Sequence, residues 1–337
     1  MPVGFGVNNS NPRPVLVAIV TNNAKPCLCV TPDYKNWYMT GSILKAASGS
    51  PRGVAYSSSL DRLYTVTTEA VPNAFKGADL AGFRTPNAMT ATGAYGTSIS
   101  GNRLFVDEGQ IMYGSNNSIC HLSTNNGQSW ITRNTWASST TRQPSVVRYF
   151  SSVQKYINGM VTVTVLGRTT TGGAFASTWT GDTGVLADPG WGSTTGRVRH
   201  IEEGSSGNFV VVGRTTTGKV STSSDLDNWT NRSWVSNDEV FFVAWNGSMW
   251  VAVGATGVIG TSTDTNASTW TSRTSPISTA LVWVGWDSNI QKWIAVSSQF
   301  EIITSSDGIV WSNNNASTTN FRAADSIMEQ LIKVRNI

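Results

Sequence analysis

The stretch richest in reactive groups is RVRHIEE, which supplies Arg197, Arg199, His200, Glu202 and Glu203 within seven positions. Paired carboxylates beside an imidazole can move protons. The same residues on a strand can also neutralise one another as a solvated lining, and the sequence leaves both readings open. Trp136 and Trp234 are a second candidate set for binding, since indole rings among Ser, Thr and Asn suit stacking on a sugar. Packing is the competing role for them, as it is for Trp245, Trp283 and Trp286. Nucleophile elbows, H-E-x-x-H pairs, Walker loops and dinucleotide-binding glycine runs are absent. Cys27, Cys29 and Cys120 stand with only two histidines, so a thiolate–imidazole metal set is not indicated, and Cys27 and Cys29 read as small buried residues sharing one strand face. The expectation is therefore no catalytic residue, no metal and no cofactor.

The elements that position these groups come from a repeat. A Ser or Thr, then an Asp or Asn, then an aromatic recurs as TPDYKNW, STNNGQSW, SSDLDNW, STDTNASTW and SSDGIVW. Looser copies are GADLAGF, with Phe83 in the Trp place, and TGDTG, with Trp191 following later. The key positions are Asp33, Asp79, Asn125, Asp182, Asp225, Asp264 and Asp307, separated by 39 to 57 residues. The hexapeptide GRTTTG also occurs twice, beginning at Gly167 and Gly213.

Each period shares an interior. An apolar strand such as VAY, VAW or VGW comes first. After a polar turn a second strand opens near an aromatic, at Tyr64, Phe105, Phe209, Trp250 or Trp293. A third strand runs into the Asp position. A fourth follows the Trp, where W-x-x-R places Arg133, Arg232 and Arg273. Short strands between turn residues at this period are the signature of propeller blades. The C-terminal ADSIMEQLIKV reads as strand, turn, strand by alignment with VAWNGSMWVAVG.

The recurring pattern resembles the Asp-box, S-x-D-x-G-x-x-W, of sialidase-like and related propellers, and SSDGIVW and STNNGQSW lie nearest to it. The resemblance implies a hairpin between third and fourth strands, with the carboxylate closing a turn and the Trp filling the space between blades. The Asp-box acids are then structural. The Arg-Ile-Pro signature of sialidases is missing, so no catalytic residue carries over.

The expected fold is all-β: a seven-bladed propeller of four-stranded antiparallel blades. Its N- and C-terminal strands share one blade, with VLVAIV and LIKVRNI competing for the same place. Residues 1–14 form a tail and 15–337 a single propeller domain.

Composition narrows the function. Charged residues are 13% of the chain and the net charge is +4. No Lys/Arg-rich run suggests nucleic acid, no apolar run reaches the roughly 18 residues of a membrane helix, and no signal peptide is read at the N-terminus. The Asn-Thr-Ser-rich turns resemble those of bacteriophage structural proteins. The expectation is a virion component, a tail, fibre or baseplate propeller, with other virion proteins as partners and a host-surface glycan as a further one. A lectin-like propeller and, behind it, a sialidase-like hydrolase are the alternatives.

Overall fold

A computed structural model describes residues 16–22, 25–31, 33–39, 51–57, 62–67, 73–79, 90–94, 101–107, 110–115, 119–123, 131–134, 144–153, 155–160, 166–168, 185–187, 189–192, 196–314 and 327–333. The chain divides into two compact units, one of Met1–Ser115, His121–Thr132 and Asn315–Ile337, the other of Asn116–Cys120 and Arg133–Asn314.

The first unit holds β1 (Leu16–Asn22), β2 (Lys25–Thr31) and β3 (Tyr38–Met39). It continues with β4 (Pro51–Ser57), β5 (Arg62–Thr67), β6 (Asn73–Asp79) and β7 (Thr90–Ala94). To it also belong β8 (Gly101–Asp107) and β9 (Gln110–Ser115), while β10 (Ile119–Ser123) and β11 (Ile131–Asn134) are divided between the units. The second unit begins with β12 (Pro144–Phe150), β13 (Lys155–Met160), β14 (Leu166–Arg168) and β15 (Val185–Ala187). Next come β16 (Arg197–Glu203), β17 (Phe209–Arg214), β18 (Gly218–Ser223) and β19 (Thr230–Arg232). They are followed by β20 (Val240–Trp245), β21 (Trp250–Gly254), β22 (Ile259–Ser262) and β23 (Thr271–Arg273). The last sheet of this unit is β24 (Leu281–Asp287), β25 (Lys292–Ser297), β26 (Ile302–Ser305) and β27 (Ser312–Asn313), and β28 (Ile327–Lys333) returns to the first unit.

These strands form four-stranded antiparallel sheets, each of four strands consecutive in the chain except one, whose order is β28-β1-β2-β3. The two ends of the chain therefore share a sheet. LIKVRNI and VLVAIV do not compete: β28 takes the first position and β1 the second, with Val17 opposite Ile332. ADSIMEQLIKV holds no turn after Ile327; that segment is one strand whose irregularity against β1 is a register shift at Ile19/Val20.

Two further expectations are corrected. Phe105 lies in β8, the first strand of its sheet, and the second strand is Gln110–Ser115. The two GRTTTG copies are not equivalent: Gly167 lies in the third strand β14, whereas Gly213 lies next to the end of the second strand β17. The hexapeptide therefore does not mark equivalent places in the two sheets.

In the second unit the first strands of successive sheets pack side by side, β12 on β16, β16 on β20 and β20 on β24. The second strands explain why. FVVVG of β17, WVAVG of β21 and WIAVS of β25 are buried at every residue, as a strand covered on both faces requires. Val210, Val212 and Val220 of one sheet meet Val243, Trp250 and Ala252 of the next. Val251, Val253 and Ile259 in turn meet Val284, Trp293 and Ala295. Trp250 and Trp293 are fully buried, and each removes about 150–250 Å² from water.

A device the sequence did not announce recurs in both units. The register of the first strand on the second shifts at Pro51/Gly53, Gly101/Arg103, Pro144/Val146, Val198/His200, Val240/Phe242 and Leu281/Trp283. A bulge at the second or third residue bends the strand and re-aims the extra side chain. In the second unit the extra residues are Ser145, Arg199, Phe241 and Val282.

Candidate functional site

Asp33, Asp225, Asp264 and Asp307 lie at the junctions between third and fourth strands. At Asp225 the carboxylate accepts the backbone N–H of Asp227 at 2.7 Å and of Asn228 at 2.8 Å, the Asn228 Nδ2 at 2.8 Å and the Ser223 Oγ at 3.0 Å. Asp33 repeats this with Lys35, Asn36 and Thr31, and Asp307 with Ile309, Val310 and Ser305. The longer STDTNASTW loop moves the bonds of Asp264 to Asn266 and Ser268.

The residue three before the aromatic is left-handed in each of these turns: Tyr34 (φ 56°), Leu226 (φ 65°), Ala267 (φ 48°) and Gly308 (φ 72°). In the second unit its carbonyl accepts the indole N–H of Trp229, Trp270 or Trp311 at 3.0–3.2 Å. The Arg of W-x-x-R reaches back to the third strand, Arg232 Nε to Thr222 and Arg273 Nε to Thr261.

The bonds these carboxylates accept set their acidity. Burial would raise the carboxyls of Asp33 and Asp225, but the N–H and hydroxyl donors outweigh it and hold both below the usual carboxylate range. The Ser268 hydroxyl and the Asn266 N–H lower Asp264, and the N–H groups of Val310 and Ile309 lower Asp307. These acids are spent on their own turns. Asp79 ends β6; Asn125 and Asp182 lie outside the described residues. Trp191 follows β15 rather than standing inside its hairpin. It is buried, and its Nε1 donates to Ser221 of β18 at 2.8 Å.

The RVRHIEE residues share strand β16 but do not converge. At about 3.3 Å per residue, Arg197 and Glu202 stand roughly 16 Å apart along it. Glu202 turns to the preceding sheet, where Arg148 Nη1 donates to its Oε2 at 3.2 Å. Arg148 also reaches the Ile201 carbonyl, and Ser145 Oγ donates to the Val198 carbonyl at 2.5 Å. His200 turns to the following sheet. It is buried and stacks on Phe242 at 3.6 Å and 20°, and Phe242 in turn meets Trp283 at 6.1 Å. Glu203 ends the strand half-buried.

The arginines gather around a residue the sequence reading passed over. Glu239, just before β20, receives Arg199 Nε at 2.6 Å, Arg214 Nη1 at 3.3 Å and Arg197 Nε at 3.7 Å. Arg199 also lies over the Phe241 ring at 5.0 Å. Burial and the charge of Arg199 lower the Arg197 guanidinium from its usual value, Arg214 adds to this, and Glu239 opposes it. Arg214 was legible only as part of GRTTTG, and Glu239 only as the acid preceding VFFVAW. No spacing rule joins them, because the bulge at Arg199 and the stacking of two sheets bring them together.

Of the two tryptophans proposed for stacking, Trp136 lies outside the described residues. Trp234 is half-buried against Trp270, ring centroids 5.4 Å apart at 67°, in the cluster of Val220, Val240 and Trp250. Trp245 and Trp286 are cross-strand partners of Trp250 and Trp293. Among the described residues no group of three His, Cys, Asp or Glu is placed to hold a metal ion, and no helix is long and apolar enough to cross a membrane.

Comparison with known proteins settles the fold class. No family model matches the chain, and no curated protein does. Solved structures do. A putative 6-phosphogluconolactonase from Bacteroides fragilis is similar at a TM-score of 0.66 and 9% identity, over 98% of this chain and 100% of that one. YCF48 bound to D1 peptide is similar at 0.58 and 10%, over 86% and 95%. The WD40 β-propeller domain of Doa1 is similar at 0.54 and 15%, over 90% and 91%. The fold is a β-propeller. At these identities the likeness extends to the fold alone.

Proposed function

We propose that the chain is a non-enzymatic propeller, its sheets closed into one seven-bladed ring, that serves as a protein-binding part of a virion such as a tail, fibre or baseplate. The observation that carries this reading is the employment of the carboxylates. Asp33, Asp225, Asp264 and Asp307 hold turns, Glu202 is engaged by Arg148, and Glu239 by three arginines. The same turns, with their left-handed residue and bonded Trp, support a kinship with Asp-box propellers. Two of the structural neighbours were solved with protein partners, YCF48 with a peptide and another within the mitotic checkpoint complex, which suits a binding role for this fold. The virion assignment itself rests on the Asn-Thr-Ser-rich, weakly charged texture of the sequence. The test is fractionation of the source lysate on a density gradient with an antibody to this chain. Co-migration with particles is expected; a free monomer throughout overturns the assembly role, and turnover of sialosides overturns the non-enzymatic one.

A further inference from the structure

The Arg197–Arg199–Arg214 cluster has more positive charge than its own structure uses. Among the described residues one carboxylate, Glu239, faces three guanidiniums, which leaves an excess of two positive charges in this cluster. A single arginine would neutralise Glu239, and Arg199 at 2.6 Å already does so. Arg197 and Arg214 are held at longer range and keep 34% and 45% of their side chains exposed, while Glu239 keeps 10%. Each guanidinium carries five N–H donors, so most donors on this pair point away from Glu239. Burial first, then the charge of Arg199 and last that of Arg214, lower the Arg197 proton affinity against the pull of Glu239. Lys219, paired with Gly213 on β18, adds a cation at the same end of the sheet, and the neighbouring Asp238 is turned to its own loop by Ser236.

Two further features distinguish the cluster from a stray charge patch. Arg199 is the extra residue of a bulge, the device that re-aims a side chain out of a sheet. It lies over Phe241, which is itself the extra residue of the next bulge and half-buried. Arginine and aromatic side chains side by side are the residue types enriched in protein interfaces. The cluster also occupies the strand ends opposite to the Asp turns: β16 begins there and β17 finishes there, whereas Asp225 follows the far end of β18. The turn-building Asp225 and the arginine cluster thus lie at opposite ends of the sheet.

We infer that this end docks an acidic segment of a protein partner, with carboxylates bridging Arg197 and Arg214 and its chain lying against Phe241. The inference rests on the protein-binding reading above and gives that reading a place and a chemistry.

The test uses the full chain and a fluorescein-labelled hexaglutamate peptide, followed by anisotropy at low and at physiological salt, with hexaglutamine as reference. Binding to hexaglutamate only, weakening as salt rises, is expected. Arg197→Gln/Arg214→Gln should weaken it roughly tenfold or more, whereas Lys35→Gln/Lys292→Gln, which removes the same charge from exposed sites elsewhere, should leave it within about twofold. If the first double variant does not fold, Arg214→Gln alone, at the most exposed of the three arginines, must still show a loss. Absence of binding, or equal loss in both double variants, overturns the inference. So does displacement of the peptide by low concentrations of inorganic phosphate or of sialyllactose, which would assign the cluster to a free anion or a glycan. If the chain travels with particles yet ignores the peptide, the docking chemistry fails and the assembly reading stands. If it binds the peptide but is absent from particles, the reverse holds.

Discussion

Replacing Gly260 with Ala probes whether Trp234 is a packing residue or a ligand platform. A Cβ on Gly260 would stand 2.6 Å from two ring carbons of Trp234, an indole contributed by the segment that follows the preceding sheet. Ordinary carbon contacts begin near 3.5 Å, so the ring must retreat by almost 1 Å into a filled cluster. Overpacking of that kind costs about 1–3 kcal/mol. Trp234→Ala removes an aromatic of about 150–250 Å² that is half-buried, worth about 2–3 kcal/mol at 25 cal/mol/Å². In the double variant the added methyl enters space the indole has left, so the two costs should not add. A coupling of about 1–3 kcal/mol is expected from urea unfolding followed by far-UV circular dichroism. Costs that add to within about 0.5 kcal/mol would refute the packing role. So would a Trp234→Ala chain of unchanged stability that had lost glycan binding.

Asp225→Ala should cost about 1–2 kcal/mol, because four donors lose their acceptor; the urea midpoint at pH 7 measures it. The lowered carboxyls fix the sign of the pH dependence. Their stabilisation is complete above the unfolded value of about 3.9 and drains away as pH falls toward their folded values. Stability should therefore drop below about pH 4, less steeply in Asp225→Ala than in the parent. Gly308→Ala should destabilise by about 1–3 kcal/mol, since its φ is 72° and a Cβ would meet Met249 Sδ at 2.6 Å; Ala267, already left-handed at φ 48°, should accept Gly with little change, both read by thermal melting. Glu239→Gln should cost about 1–3 kcal/mol by leaving three arginines to repel one another, and added salt should narrow that gap.

What the sequence revealed and what it hid divide along one physical line. The Asp positions were visible because an Asx-type turn is built from near neighbours, Asp225 from Ser223, Asp227 and Asn228. The apolar runs WVAVG and WIAV were visible because burial on both faces selects apolar residues at successive positions. The place of Phe105 was lost because Gly101 and Asn102, turn-forming residues by type, open the first strand itself. LIKVRNI and VLVAIV looked like rivals because nothing local says that the chain's last strand takes the first position and its first strand the second. Glu239 escaped for the same reason. Its partners are 25 to 42 residues away and meet it only through the stacking of two sheets and a bulge that shifts Arg199. Of the RVRHIEE candidates, proximity in sequence overstated proximity in space: Glu202 and Arg199 serve opposite neighbours of one strand.

Cryo-electron microscopy of particles from the source, with this chain located by a tag, tests the proposed role in assembly. One closed ring of seven four-stranded sheets is expected, seated on a neighbouring protein, with the strand ends that carry Arg197, Arg199 and Arg214 turned toward acidic residues of that neighbour. A particle without this chain, a ring of six or eight sheets, or a ring seated by its Asp turns with the arginines facing solvent, would contradict it.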